Sequence, residues 1–320
     1  MGPRNYPSYL GRGGAGLNEL GARFDELWNE VDGSPYGSVF FTDPTNGNDN
    51  YDGESPIAGG ETGPKATLQA AIDQCTDDKG DMIWVAPGSQ EVTTAVLLNK
   101  QGITIRATGF GMAGPPSGER FTIKAASAYT DGPAATLSKA CRIIGLGFEG
   151  RQTAGEDLLI DCGEVGGFEA GFSMILNCRF GVWYGAMDAG IRMKGGQYNH
   201  IIGCTFDGLF GGYGTAAIIA QSSGNIDPGF IRMFGNQFSG VGSGKHCVKH
   251  TNKALGVIYA HNYIDGGFLG NRGKFLDNNN TASEGLIADN WLGGLANKAA
   301  AFENLTNADL KFADNHYEEA

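Results

Sequence analysis

The chain has 320 residues, a formal net charge of −12, 41% hydrophobic residues and only 18% charged ones. Its 53 glycines and 11 prolines follow no G-X-Y period and sit among β-branched and aromatic residues, which excludes both a collagen and a disordered linker. No lysine/arginine block supplies the concentrated positive charge that a nucleic acid or an anionic membrane demands, and no apolar run approaches the roughly 18 residues of a bilayer span.

Residues 1–16 carry Arg4, Tyr6, Tyr9 and Arg12 and no acid. They read as an extended arm without the apolar core of a signal peptide, so synthesis in a cytoplasm is expected. Leu17, Leu20, Phe24, Leu27, Trp28 and Val31 then fall on one stripe at helical spacing, closed by Asp32-Gly33. A helix of about 15 residues is marginal alone. The stripe is therefore expected to pack on its own domain or on a partner. Residues 1–38 form one expected unit and residues 39–320 the other.

The next segment is FFTDPTNGNDNYDGESP, followed by GPKATLQAAIDQC up to Cys75. Thr67 is placed to cap a helix near 66–75, whose Leu68, Ala71 and Ile72 share a face. That face would plug the end of a sheet stack and cover an open strand edge. Asp43, Asn46, Asn48, Asp49, Asn50 and Asp52 crowd one loop with oxygen ligands. Their spacing does not match a calcium-binding helix–loop–helix, and turn formation accounts for the composition. MIWVAPG (82–88), ITIRATG (103–109) and FTIKAAS (121–127) read as the first coils.

An internal repeat follows: IIGLGFEG at 143–150, ILNCRFG at 175–181, IIGCTFDG at 201–208, MFGNQFSG at 233–240, IYAHNYIDG at 258–266, LIADNWLGG at 286–294 and KFADNHYEE at 311–319. Its large apolar column is Phe148, Phe180, Phe206, Phe238, Ile264, Leu292 and Tyr317, at spacings of 32, 26, 32, 26, 28 and 25. Two positions earlier stand Leu146, Cys178, Cys204, Asn236, Asn262, Asn290 and Asn315. A second strand precedes most units: LLIDC at 158–162, GIRMKG at 190–195, AAIIAQ at 216–221, CVKHTN at 247–252, KFLDNN at 274–279 and AAFENL at 300–305. Strands of four to six residues in units of this length cannot make helical repeats. They fit the coils of a parallel β-solenoid, in which each strand pairs with its counterpart one coil up, about 4.8 Å away. The fold class is thus all-β, a single-stranded parallel β-helix of roughly eight to ten coils. The phenylalanines stack in its core, the asparagines form a ladder at a corner, and Cys178 and Cys204 fill the same corner. The six cysteines include no C-x-x-C pair and read as buried thiols.

These repeats, with the D-G-x-S-P loop and the Thr-capped helix, resemble the right-handed parallel β-helix family over about residues 40–320. The opening segment resembles that of many viral and bacterial members, among them capsid decoration (cement) proteins and tailspikes of tailed phages. The resemblance implies a structural virion protein: a homotrimer on a phage head, made in the host cytoplasm, whose partners are capsid proteins. Arg4, Tyr6, Tyr9, Arg12, Leu17, Leu20, Phe24, Leu27 and Trp28 are the expected contact residues. The alternative it implies is a receptor-binding tailspike or a polysaccharide-degrading enzyme, with a glycan as ligand.

The family's enzymes have recognisable signatures. Of the N-T-D, D-D, H-G and R-x-K elements seen in its hydrolases, Arg192-Met193-Lys194 supplies an R-x-K on an alternating strand, with both charges expected in solvent. Asp77-Asp78 lies in a loop after the cap helix. Asp157, Asp161 and Glu164 are near in sequence, but nothing selects partners for them in a calcium-dependent lyase. His246 and His250 would share a strand face about 13 Å apart, too far for one metal, and the histidines read as hydrogen-bonded surface residues. The reading leans away from an enzyme and assigns no catalytic residue, metal or cofactor.

Overall fold

The computed structural model describes residues 37–107, 121–126, 134–137, 140–150, 157–162, 171–182, 187–208, 213–222, 226–242, 244–265, 273–279, 282–295 and 297–318. Three parallel sheets of ten, nine and eight strands run the length of these residues. One coil shows the plan. His200–Ile202 lies in the first sheet, Thr205–Asp207 in the second and Tyr213–Gln221 in the third. Every ladder is parallel, and each strand pairs only with its equivalents in adjacent coils, as a solenoid requires.

The core column is in register from Phe148 through Phe180, Phe206, Phe238, Ile264 and Leu292 to Tyr317. Its four phenylalanine rings stack at centroid distances of 5.0, 5.0 and 4.9 Å, nearly coplanar. That spacing follows from the inter-strand distance, because identical side chains one coil apart must adopt the same rotamer. The first sheet lines the core with Ile83, Ile105, Ile143, Ile175, Ile201, Met233, Tyr259 and Ile287, all essentially inaccessible.

The asparagine ladder is present. Asn236 Nδ2 donates to Asn262 Oδ1 at 2.9 Å, Asn262 Nδ2 to Asn290 Oδ1 at 2.9 Å and Asn290 Nδ2 to Asn315 Oδ1 at 2.8 Å. Each Oδ1 also accepts the backbone N–H of the preceding rung, beginning with Cys204 N–H on Asn236. Cys178 and Cys204 stand in the same corner, buried, with their thiols on carbonyls of the preceding coil.

Two details differ from the sequence expectation. Segments such as IIGCTFDG are two strands rather than one, because a left-handed residue breaks each of them. At Gly203 φ is +64°, and a Cβ there would lie 2.4 Å from Asn177 Oδ1. Asn177, His261, Asp289 and Asp314 take the same conformation in their own coils. The AAFENL strand shrinks to Phe302–Glu303, since Lys298–Ala301 forms one helical turn capped by the Asn297 side chain on Ala300 N–H. The plug helix spans Leu68–Gln74, with Thr67 accepting from Ala70 N–H and Leu68, Ala71 and Ile72 buried.

Candidate functional site

The third sheet turns a charged face outward, and a local break in alternation explains it. In His246–His250 both Cys247 and Val248 enter the core, as do Phe275 and Leu276 in Lys274–Asp277. Two consecutive inward residues leave the flanking positions on the same outer side. His246 pairs with Lys274, Lys249 with Asp277, and Asp277 with Glu303.

The result is a five-residue cluster. Glu303 Oε1 lies 3.3 Å from His246 Nε2, and its other oxygen is ion-paired with Lys274. Lys249 Nζ lies 3.3 Å from Asp277 Oδ2, and Asp277 Oδ1 accepts from Asn304 Nδ2 and Asn279 N–H, both at 2.8 Å. His246 is buried, and its Nε2 has no hydrogen-bond partner. Burial lowers the His246 pKa against the opposing pull of Asp277 and Glu303, which favours the neutral ring. For Asp277 burial acts to raise the pKa. The hydrogen bonds from Asn304, Asn279 and Lys249 outweigh it and hold the carboxyl below its usual range.

His246 and His250 therefore do not share a face, contrary to the strand arithmetic, and neither is a surface residue. His250 is fully buried on the opposite side of the strand. Its Nδ1 faces Asn278 Oδ1 at 3.0 Å and Ser283 Oγ at 3.2 Å, and its Nε2 faces the Tyr259 hydroxyl at 2.7 Å. Burial presses its pKa down to about 4. Arg192 points outward as expected but is not a free charge. Its Nη2 contacts Asp188 Oδ2 at 2.5 Å and its Nη1 donates to Gln221 Oε1 at 2.8 Å.

A second feature has no counterpart among the expectations from sequence. Where the third sheet turns into the first, Phe172, Tyr198 and Phe230 occupy the same place in three successive coils. Their rings stack at 5.0 and 4.5 Å, with interplanar angles of 11° and 4°. They are 57%, 40% and 41% exposed. All three backbones are left-handed, with φ of 58°, 59° and 52°, a conformation that strains a bulky residue. Ala140 and Gly256 hold this conformation in the coils on either side. The ladder is thus three aromatic rungs between two small residues. Its sequence signal was available, since each rung precedes a core phenylalanine by eight residues: 172 and 180, 198 and 206, 230 and 238.

The other candidates separate clearly. In the 43–52 loop Asp43 accepts from Thr45 and Asn46 N–H and Asn48 from Asn50 N–H, as turns do, while Asp49 accepts from Thr67 N–H and Oγ1 at the start of the plug helix. Asp77 caps Gln101 N–H. Arg4, Tyr6, Tyr9, Arg12, Leu17, Leu20, Phe24, Leu27 and Trp28 lie outside the described residues, as do Glu164 and the side chains of Asp157 and Asp161.

No protein-family model matches the chain, and no curated protein matches it. Solved structures do. Pectate lyase Pel9A superposes with a TM-score of 0.57 at 13% identity, over 89% of this chain and 71% of the enzyme. A rhamnogalacturonan lyase gives 0.58 at 14% identity, over 80% and 68%. ORF18 of Geobacillus virus E2 gives 0.50 at 10% identity, over 96% of this chain and 64% of that protein. At such identities the likeness establishes architecture alone. The chain has the parallel β-helix fold of the pectate lyase-like proteins.

Proposed function

We propose that this chain is a structural protein of a phage virion, a β-helix that decorates the head as a homotrimer and is held there by protein–protein contacts. The observation that carries this reading is the aromatic ladder. Three exposed rings at strained backbone positions cost stability without filling the core, which is the signature of a site kept for contact. Four of the six ring faces are spent on one another, so apart from the outer faces of the two end rings the ladder offers ring edges. Sugars stack on aromatic faces, whereas a ridge of ring edges suits an apolar groove on a protein. Residues 1–38 act with it as a separate anchoring unit. Arg4 and Arg12 give the arm a positive stretch on a chain of charge −12, and Tyr6, Tyr9, Phe24 and Trp28 are contact residue types.

The test is co-sedimentation with phage heads, comparing the full chain with a Phe172→Ala, Tyr198→Ser, Phe230→Ala triple variant. The variant should remain folded and lose head binding by at least tenfold. Unchanged binding by the variant would remove the ladder from the contact, and deletion of residues 1–31 would then decide whether the arm holds the chain alone. The charged cluster on the third sheet favours a second reading, a polysaccharide-binding or polysaccharide-cleaving protein. Release of oligosaccharides from host polysaccharide, with no binding to heads, would put that reading in place of the first.

A further inference from the structure

We infer that His246, Asp277 and Glu303 form a site for a divalent transition metal of the zinc type. One ligand atom from each lies within 4.8 Å of the others. The separation of His246 Nε2 from Glu303 Oε1 is 3.3 Å. With metal–ligand bonds of about 2.0–2.1 Å, two ligands at a tetrahedral angle stand about 3.3–3.4 Å apart, so this pair already spans such an edge.

The independent observation is the imidazole itself. His246 is 6% exposed, and its Nε2 is buried, points into the cluster and faces Glu303 Oε1 at 3.3 Å without the geometry of a hydrogen bond. A buried nitrogen without a well-formed hydrogen bond costs free energy. A cation between the imidazole and the two carboxylates removes that cost. Neutral imidazole with hard carboxylate oxygens, and no thiolate among the three, suits Zn²⁺ and, less tightly, Mn²⁺. The outer supports are in place, because Asn304 and Asn279 orient Asp277 through the oxygen opposite the one near Lys249. Glu303 is 32% exposed at its side chain, which leaves a further coordination position open to solvent.

Lys249 and Lys274 are the obvious objection, since they already balance the two carboxylates. Their ammonium groups sit on flexible four-carbon stems, and Lys274 holds the Glu303 oxygen that does not face His246. Lys274 therefore competes with a cation without occupying its place, and Lys249, on Asp277 Oδ2, has to swing away for the cation to bind. This predicts an effect that a purely structural ion-pair network would not give: removing a lysine charge should tighten metal binding.

The experiment is calorimetric titration of the full-length, metal-stripped chain with Zn²⁺, alongside thermal melts in Zn²⁺ and in EDTA. The expected result is one equivalent bound per chain and a higher melting temperature in Zn²⁺. His246→Gln and Glu303→Gln should each weaken affinity at least tenfold, and Lys274→Met should tighten it. X-ray absorption at the zinc edge should show only nitrogen and oxygen neighbours. Saturable binding unaffected by either glutamine variant, a sulfur neighbour from one of the cysteines, or no binding in the wild-type chain at micromolar Zn²⁺ would each overturn the inference. Should His246→Gln fail to fold, Lys274→Met and Glu303→Gln still decide it, because they act in opposite directions.

Discussion

Phe206→Ala tests the stacked core directly. The ring has no accessible surface and lies between Phe180 at 5.0 Å and Phe238 at 4.9 Å. Its side leans on Gly190, where a Cβ would come within 3.1 Å of Phe206 Cδ1. Three of its boundaries are thus held by other coils or by backbone, and little can collapse into the space the ring leaves. Truncating a buried phenylalanine costs about 3–5 kcal/mol, and the loss of two stacking partners places this position toward the upper end of that range. At about 2 °C per kcal/mol for a chain of this size, the melting temperature should drop by roughly 6–10 °C. Tyr198→Ala is the control, since it removes an equally well-stacked ring that is 40% exposed. Its smaller burial should keep the cost below about 1 kcal/mol. Equal losses for the two variants in differential scanning calorimetry would refute the reasoning, because burial would then not be what distinguishes the two stacks.

Asn290→Ala should cost about 1–3 kcal/mol, measured by denaturant unfolding. It strands the Asn262 amide and backbone N–H that bond Asn290 Oδ1, together with the Tyr259 carbonyl and Asn315 Oδ1 that accept from Asn290 Nδ2. Acidification should act through His250, whose folded pKa of about 4 lies below the ordinary histidine value of 6.5. The unfolded chain takes up a proton between these values that the folded chain refuses. The stability contributed by the neutral ring is therefore complete above about pH 6.5 and is lost as pH falls toward 4, by on the order of 3 kcal/mol. His250→Gln should flatten that part of the stability–pH curve, and an identical slope in both proteins would rule the residue out.

What is legible in the sequence is whatever recurs once per coil. The Phe206 column, the Asn290 ladder and the cysteine rungs are periodic, so they stand out as columns when the units are aligned on one another. The site residues resist for a different reason. His246 and Asp277 sit on opposite sides of a two-residue inward step, so the simple alternation that places strand side chains assigns their faces wrongly. Glu303 follows a helical turn that the alanine run 299–301 conceals within an apparent strand. The Phe172 ladder is periodic and still escapes notice, because a left-handed corner is invisible to hydrophobic patterning and aromatic residues at such corners are unusual.

The asparagine corner has a consequence for how the rod comes apart. Cys204 offers its successor one donor and each coil from Asn236 onward offers two, and these are orphaned if that successor peels away. Melting one coil therefore penalises its neighbour, and the stretch from Asn236 to Asn315 should open as one cooperative block. The coils before it are joined at this corner by thiol-to-carbonyl contacts, which couple neighbours weakly. In a stack governed by nearest-neighbour terms, amide hydrogen exchange should find the lower-energy opening on the cysteine side. The rod would then have a stiff half and a yielding half, set by which residue occupies one corner.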